Sequence, residues 1–289
     1  MDDILSLLQT PAILLTVAGI FGLLVGSFLN VVIFRLPKML EKEWQTDCAE
    51  LLDVSPPETA KISLSQPAST CPACGHKIRA WENIPVISYL LLKGRCSSCQ
   101  NGISARYPII EALTGILSIW VAWHFGFSWQ TTAVLLLSYV LIAMSFIDFD
   151  HQILPDNLTL PFVWLGLFLN LFGLFTDLES AVIGAIAGYL SLWIVFWIFK
   201  IITGKQGMGY GDFKLLAVFG AWLGWQYLPQ IILLSSFVGS VIGISLIIFR
   251  GRDRNIPIPF GPYLAIAGWI AVLYGPQINQ SYLQLAGLQ

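Results

Sequence analysis

The sequence predicts an all-α polytopic membrane protein, with about eight transmembrane helices and a small zinc-binding cytoplasmic insert after the first. Three observations carry that expectation. Only 11% of the 289 residues are charged while 56% are hydrophobic, against roughly 25% charged in a soluble domain. Apolar runs recur at the length of a bilayer crossing. Four cysteines form two Cys-x2-Cys pairs inside the one long polar stretch.

A helix needs about 20 apolar residues to cross the hydrocarbon core. Residues 11–34 contain no charge, and further apolar runs cover 108–124, 130–147, 158–175, 180–199, 213–225, 228–249 and 258–275. The run 213–225 is short for a crossing. Trp129, Trp225, Tyr227 and Tyr274 stand near run ends, where aromatic belts form. The first run does not read as a cleavable signal peptide, because Asp2 and Asp3 precede it and its first basic residue, Arg35, follows it.

With eight crossings, all 15 Lys and Arg residues fall on one side. Nine lie between Arg35 and Arg106; Lys200, Lys205 and Lys214 follow, then Arg250, Arg252 and Arg254. The positive-inside rule makes that side the cytoplasm and places both termini outside. The expected organisation is a first transmembrane helix over 1–36, a cytoplasmic insert over 37–106 and a membrane bundle over 107–289. The polar, Pro-rich stretch 54–70 reads as an irregular linker. A net charge of −2 gives no sign of a nucleic-acid partner.

Cys71, Cys74, Cys96 and Cys99 are the expected metal ligands. Paired Cys-x2-Cys knuckles place four thiolates around one tetrahedral cation, usually zinc. Two disulfides are the alternative, disfavoured in a reducing cytoplasm. Four thiolates leave no open position, so the zinc would be structural and would help a coreless insert fold. Cys48 is left without a role.

Two acidic clusters border the bundle's apolar runs. Asp148 directly follows the run 130–147, and Asp212 opens the run near 213 after Gly207, Gly209 and Gly211. Ionisable groups at the edge of a span default to functional readings. Asp150, two positions beyond Asp148, points about 200° away on a helix. Asp156 reads as a helix N-cap. Asp148 and Asp212 are the candidate catalytic pair: one ionised carboxylate takes a proton from water, and the other, protonated, polarises a carbonyl. A helix N-terminus favours the ionised form at Asp212, leaving the proton on Asp148. His76, His124 and His151 are scattered, and no phosphate loop or dinucleotide fingerprint is present. A zinc-stabilised transporter or channel is the rival reading, since aspartates within membranes also mark ion paths.

Jointly, several segments resemble the bacterial type IV prepilin peptidases, bifunctional leader peptidases and N-methyltransferases of the GxGD aspartyl protease kind. They are Gly26-Ser27-Phe28-Leu29-Asn30, Arg35-Leu36-Pro37, the four-cysteine insert with Ala80-Trp81-Glu82-Asn83-Ile84-Pro85, Ser104-Ala105-Arg106-Tyr107-Pro108, Ile147-Asp148 with Leu154-Pro155-Asp156, and Gly209-Tyr210-Gly211-Asp212-Phe213-Lys214. The resemblance implies catalytic Asp148 and Asp212 and zinc at the four cysteines. It implies cleavage of prepilin or pseudopilin leaders at the cytoplasmic face of the bacterial inner membrane. It further implies methylation of the new N-terminal amine, often on Phe, with S-adenosylmethionine as donor. The family's Gly-Lys pair before the second knuckle, associated with methyl transfer, reads Gly94-Arg95 here, and Arg is not Lys. Glu111, just inside the second run, reads either as an interfacial acid or as a contact for the new amine.

Overall fold

The computed structural model describes residues 9–55, 62–250 and 258–285. Asp2, Asp3, Lys61, Arg252 and Arg254 of the charge pattern lie outside them. Helices α1 (Pro11–Leu51), α2 (Ile87–Leu91), α3 (Arg106–Phe125), α4 (Trp129–His151), α5 (Asp156–Asn170), α6 (Leu178–Thr203), α7 (Tyr210–Leu223), α8 (Leu228–Arg250) and α9 (Gly261–Leu285) follow in order. Short 3-10 turns cover Ala80–Asn83 and Trp225–Tyr227. Among the described residues the only β pairing is two isolated bridges, Thr70 with Lys77 and Arg95 with Gly102.

Each of the eight apolar runs is mostly helical, although 158–175 leaves its helix after Asn170, 213–225 leaves its helix after Leu223, and 258–275 enters its helix only at Gly261. Among the described residues, five stretches are long and apolar enough to cross a membrane: Pro11–Leu51, Arg106–Phe125, Trp129–His151, Leu178–Thr203 and Trp225–Ser245. Helices α5 and α7, of 15 and 14 residues, extend only about 22 Å at 1.5 Å per residue. That is short of the ~30 Å hydrocarbon core. A count of eight crossings therefore rests on the charge pattern and not on helix length.

The first helix differs from expectation. It runs through Pro37 to Leu51, 41 residues in all, although its apolar run ends at Phe34. Strong helix formers dominate Lys38–Leu51, and their summed propensity outweighs one proline. Its last turns are polar and carry Glu41, Glu43, Asp47 and Glu50.

The chain divides into two compact units, residues 1–131 and 132–289. In the first, α1 and α3 pack antiparallel. Gly19 meets Ile119, Gly22 meets Ser118 and Gly26 meets Glu111, and the Asn30 amide donates to the Tyr107 carbonyl at 3.2 Å.

In the second unit α7 is the central element. Every residue from Leu215 to Leu223 is buried, as a helix apolar on all faces must be. Gly184 and Gly220 bring α6 and α7 backbone to backbone. Gly166 of α5 lies against Trp222, and Gly268 of α9 against Phe219. At the C-terminal end of α7 the buried Asn170 donates to the Ala221 and Trp222 carbonyls, both at 2.9 Å, and accepts from the Phe175 and Thr176 amides. It thus satisfies carbonyls that the last helical turn leaves unpaired.

Candidate active site and metal centre

At the other end of α7, three helix ends converge. Asp148 stands in the last turn of α4 and accepts the N–H of Gly261, first residue of α9, at 3.0 Å. Asp212 is the third residue of α7 and reaches back to the N–H of Gly209 at 3.3 Å. This is the return half of a capping box, with a glycine at the cap position. Leu154, in the α4–α5 turn, lies against the glycine next to each of them, Gly261 beside Asp148 and Gly211 before Asp212. A Cβ at Gly211 would lie 2.6 Å from Leu154 Cβ, and one at Gly261 would lie 3.2 Å from Leu154 Cδ1. Sequence reasoning gave Gly207, Gly209 and Gly211 either positive φ or a close approach. None has a positive φ, and close approach is what Gly211 supplies.

Each carboxylate is 6% exposed, and among the described residues neither pairs with a cation. They are near enough for like-charge repulsion to act between them. Asp150 is exposed, in line with its position on the opposite side of the helix. Asp156 is not an N-cap: Pro155 holds that place, and Asp156 instead accepts from Lys214 Nζ at 2.6 Å. Lys214 is thereby directed away from Asp212, two residues earlier on α7. The proton assignment loses its basis, because each aspartate meets a helix N-terminus: Asp212 its own, Asp148 that of α9.

The four cysteine sulfurs lie within 4.8 Å of one another. Cys71 and Cys99 are 3.8 Å apart and Cys74 and Cys96 are 4.0 Å apart. A disulfide needs about 2.05 Å, whereas a tetrahedral cation with bonds of ~2.3 Å spaces its sulfurs by about 3.8 Å. The donor set therefore fits a tetrahedral thiophilic metal. Both knuckles have the same construction. Cys71 N–H donates to the His76 carbonyl and Cys96 N–H to the Asn101 carbonyl. The residue after each second cysteine, Gly75 or Gln100, is left-handed, with φ of 72° and 61°.

Backbone N–H groups of Ala73 and Cys74 lower the Cys71 thiol to about 7. Against a backbone N–H from Asn101, the Cys74 sulfur, burial and the Cys96 and Cys71 sulfurs push Cys99 up to about 11. Four sulfurs this close cannot all ionise without a cation among them.

Sequence reasoning missed the groups that brace this centre. His76, read from the sequence only as one of three scattered histidines, pairs with Glu82 at 3.2 Å. Glu82 also accepts the Arg79 N–H at 2.8 Å and the Ser97 hydroxyl, which together hold its carboxyl down at about 2. The signal was the Arg79-x2-Glu82 spacing at the head of a helical turn. Arg35 donates to the carbonyls of Ser63, Leu64 and Pro67. Gly94 and Arg95 shape the entry to the second knuckle. Gly94 has φ 67° with the Tyr89 ring beside it, and Arg95 forms the bridge to Gly102.

A helical membrane protein with two buried, cation-free aspartates at converging helix ends has the layout of a membrane aspartic peptidase. Residues 20–125 match the model of the bacterial peptidase A24 N-terminal domain, and residues 135–244 that of the type IV leader peptidase family. The chain belongs to the type IV leader peptidase family. It is 60% identical over 271 residues, 93% of each chain, to the prepilin leader peptidase/N-methyltransferase of Pseudomonas aeruginosa. It is 57% identical over 289 residues, all of both chains, to the protein of that name from Stutzerimonas stutzeri. The Legionella pneumophila protein of that name is 45% identical over 278 residues, 96% of this chain and 97% of its own. No solved structure matches.

Proposed function

We propose that the protein cleaves the leader from type IV prepilins and secretion pseudopilins and methylates the amine so exposed. The observation that carries the peptidase half is the convergence of Asp148 and Asp212, both buried, about Leu154. One carboxylate takes a proton from water as the oxygen attacks the scissile carbonyl. The other delivers its proton to the carbonyl oxygen, and the tetrahedral adduct collapses with proton transfer to the leaving nitrogen. Gly261 N–H orients Asp148 and Gly209 N–H orients Asp212, while the surrounding apolar helices exclude bulk water. The apolar helix of a prepilin suits a membrane-embedded partner, and the basic side of the chain sets the inner-membrane orientation, with the site cytoplasmic and the termini periplasmic.

Zinc at Cys71, Cys74, Cys96 and Cys99 stabilises the insert by cross-linking its two knuckles. S-adenosylmethionine supplies the methyl group, with Gly94 and Arg95 beside the second knuckle as candidate residues for that half-reaction.

The test uses detergent-purified protein and a prepilin carrying its leader. Asp148→Asn and Asp212→Asn should each lower cleavage by about 10²–10⁴-fold, the usual contribution of an acid–base group. Cleavage at the parent rate in either variant, with elution as a monodisperse species, excludes the pair.

A further inference from the structure

Glu111 is a carboxylate placed where two tightly packed helices would favour a small or apolar side chain. It faces Gly26 across the α1–α3 contact, where a Cβ on Gly26 would come within 2.7 Å of Glu111 Cα. It is 8% exposed. Burying a carboxylate is costly unless hydrogen bonds offset the loss of water. Two do so here. The N–H of Val86 donates to Glu111 Oε2 at 2.7 Å, and the Ser27 side chain adds a second bond.

Val86 is unusual in its own right. It has φ 61° and ψ −47°, a conformation that a β-branched residue almost never takes. Such backbone persists only where its surroundings enforce it. The bond to Glu111 is one such constraint, since it fixes the direction of the Val86 N–H.

Val86 belongs to a strap, residues 79–91, that carries the 3-10 turn Ala80–Asn83 and helix α2. The other end of the strap is gripped by the cysteine module. Glu82 accepts from Arg79 N–H and from Ser97, inside the second knuckle, and it contacts His76, which follows the first. One glutamate thus binds the strap to both knuckles, and a second binds the strap to the membrane helices. Arg35 supplies another tie, from α1 to the carbonyls that precede the first knuckle.

We propose that Glu111 is a positioning residue that docks the cysteine module on the α1–α3 pair through the Val86 N–H, and so sets where the module stands for methyl transfer. The second clause rests on the function proposed above; the docking itself does not. The carboxylate acts as a hydrogen-bond acceptor, so an uncharged acceptor of the same length should replace it.

The experiment uses full-length, metal-loaded protein in detergent. Hydrogen exchange is followed in peptides covering residues 84–92, and methyl transfer is followed on a pilin already freed of its leader. In Glu111→Ala the Val86 amide should exchange at least about tenfold faster, because its acceptor is gone. Metal content and monodisperse elution should stay as in the parent and report folding. Methyl transfer should fall in parallel. Glu111→Gln keeps an acceptor oxygen and should restore both readouts. Val86→Gly keeps the N–H and takes positive φ without strain, so it should remain protected. Parent-like exchange in Glu111→Ala overturns the docking, and fast exchange with unchanged methyl transfer overturns the positioning role. A Gln variant as defective as the Ala variant does the same, because it would show that charge rather than acceptance matters. A parent protein without methyl transfer would refute the proposed function and leave the exchange result standing.

Discussion

The Asp148 carboxylate reaches Gly261 because that residue has no side chain. A Cβ there would lie 2.7 Å from Asp148 Oδ2, well inside van der Waals contact, so Gly261→Ala must displace the carboxylate. A misplacement of about 1 Å at a catalytic group costs on the order of 10²-fold. Gly261→Ala should therefore lower kcat for leader cleavage by about that factor and leave KM near the parent value, as steady-state kinetics will show. Gly209→Ala is the internal comparison. Its φ is −85°, and the added carbon would meet Asp212 Oδ2 at an ordinary 3.7 Å, so its effect should be small. The two aspartates were legible in the sequence because an acid abutting an apolar run contradicts its neighbours. Gly261 was not, because its partner lies 113 residues away and no local pattern records that pairing. Asp156 was misread for a related reason: a cap is inferred from neighbours, an ion pair with Lys214 only from the fold.

Among the elements, the α6–α7 pair shows how a short buried helix is held. Gly184 and Gly188 sit one turn apart on α6, and Gly220 faces Gly184 from α7. A Cβ on Gly188 would lie 2.7 Å from the Leu216 carbonyl oxygen, which is backbone and cannot swing away. Small residues spaced by four let helices approach closely in lipid, where packing replaces the hydrophobic effect as the cohesive force. Gly220→Val should destabilise the protein by at least about 1–3 kcal/mol through overpacking, read as a lower melting temperature in detergent. Ile186→Leu, on an exposed position of the partner helix α6, should leave it unchanged. Equal melting temperatures for the two would show that α6 and α7 have slack the packing does not suggest. The helices themselves were legible, since each of the eight apolar runs marks one helix, if not its exact ends. The continuation of α1 through Pro37 was not, because hydropathy marks where lipid ends and says nothing of where a helix ends. The Gly-x3-Gly spacings at Gly22–Gly26 and Gly184–Gly188 were present in the sequence; they mark the faces that α1 and α6 turn toward their neighbours.

Over the whole molecule, two different sources of stability serve two kinds of structure. The unit over 132–289 is held by packing, with α7 buried along nearly its whole length. The segment 62–103 has only the helical pieces Ala80–Asn83 and Ile87–Leu91 and two isolated bridges. Too little apolar surface is enclosed there to offset its ordering entropy, and the four cysteines supply the missing cross-link. Metal removal should therefore act locally. Stripping the protein with a strong chelator, more readily as pH falls and protons compete for the sulfurs, should release about one metal per chain. Protease should then cut within 62–103, while far-UV circular dichroism changes little, since those two pieces hold only nine helical residues between them. Cys74→Ser should reproduce both results without a chelator. Leader cleavage should outlast the metal, because Asp148, Asp212, Gly261 and Leu154 all belong to the unit that packing holds. A collapse of helicity on stripping would instead make the metal a support of the membrane helices themselves.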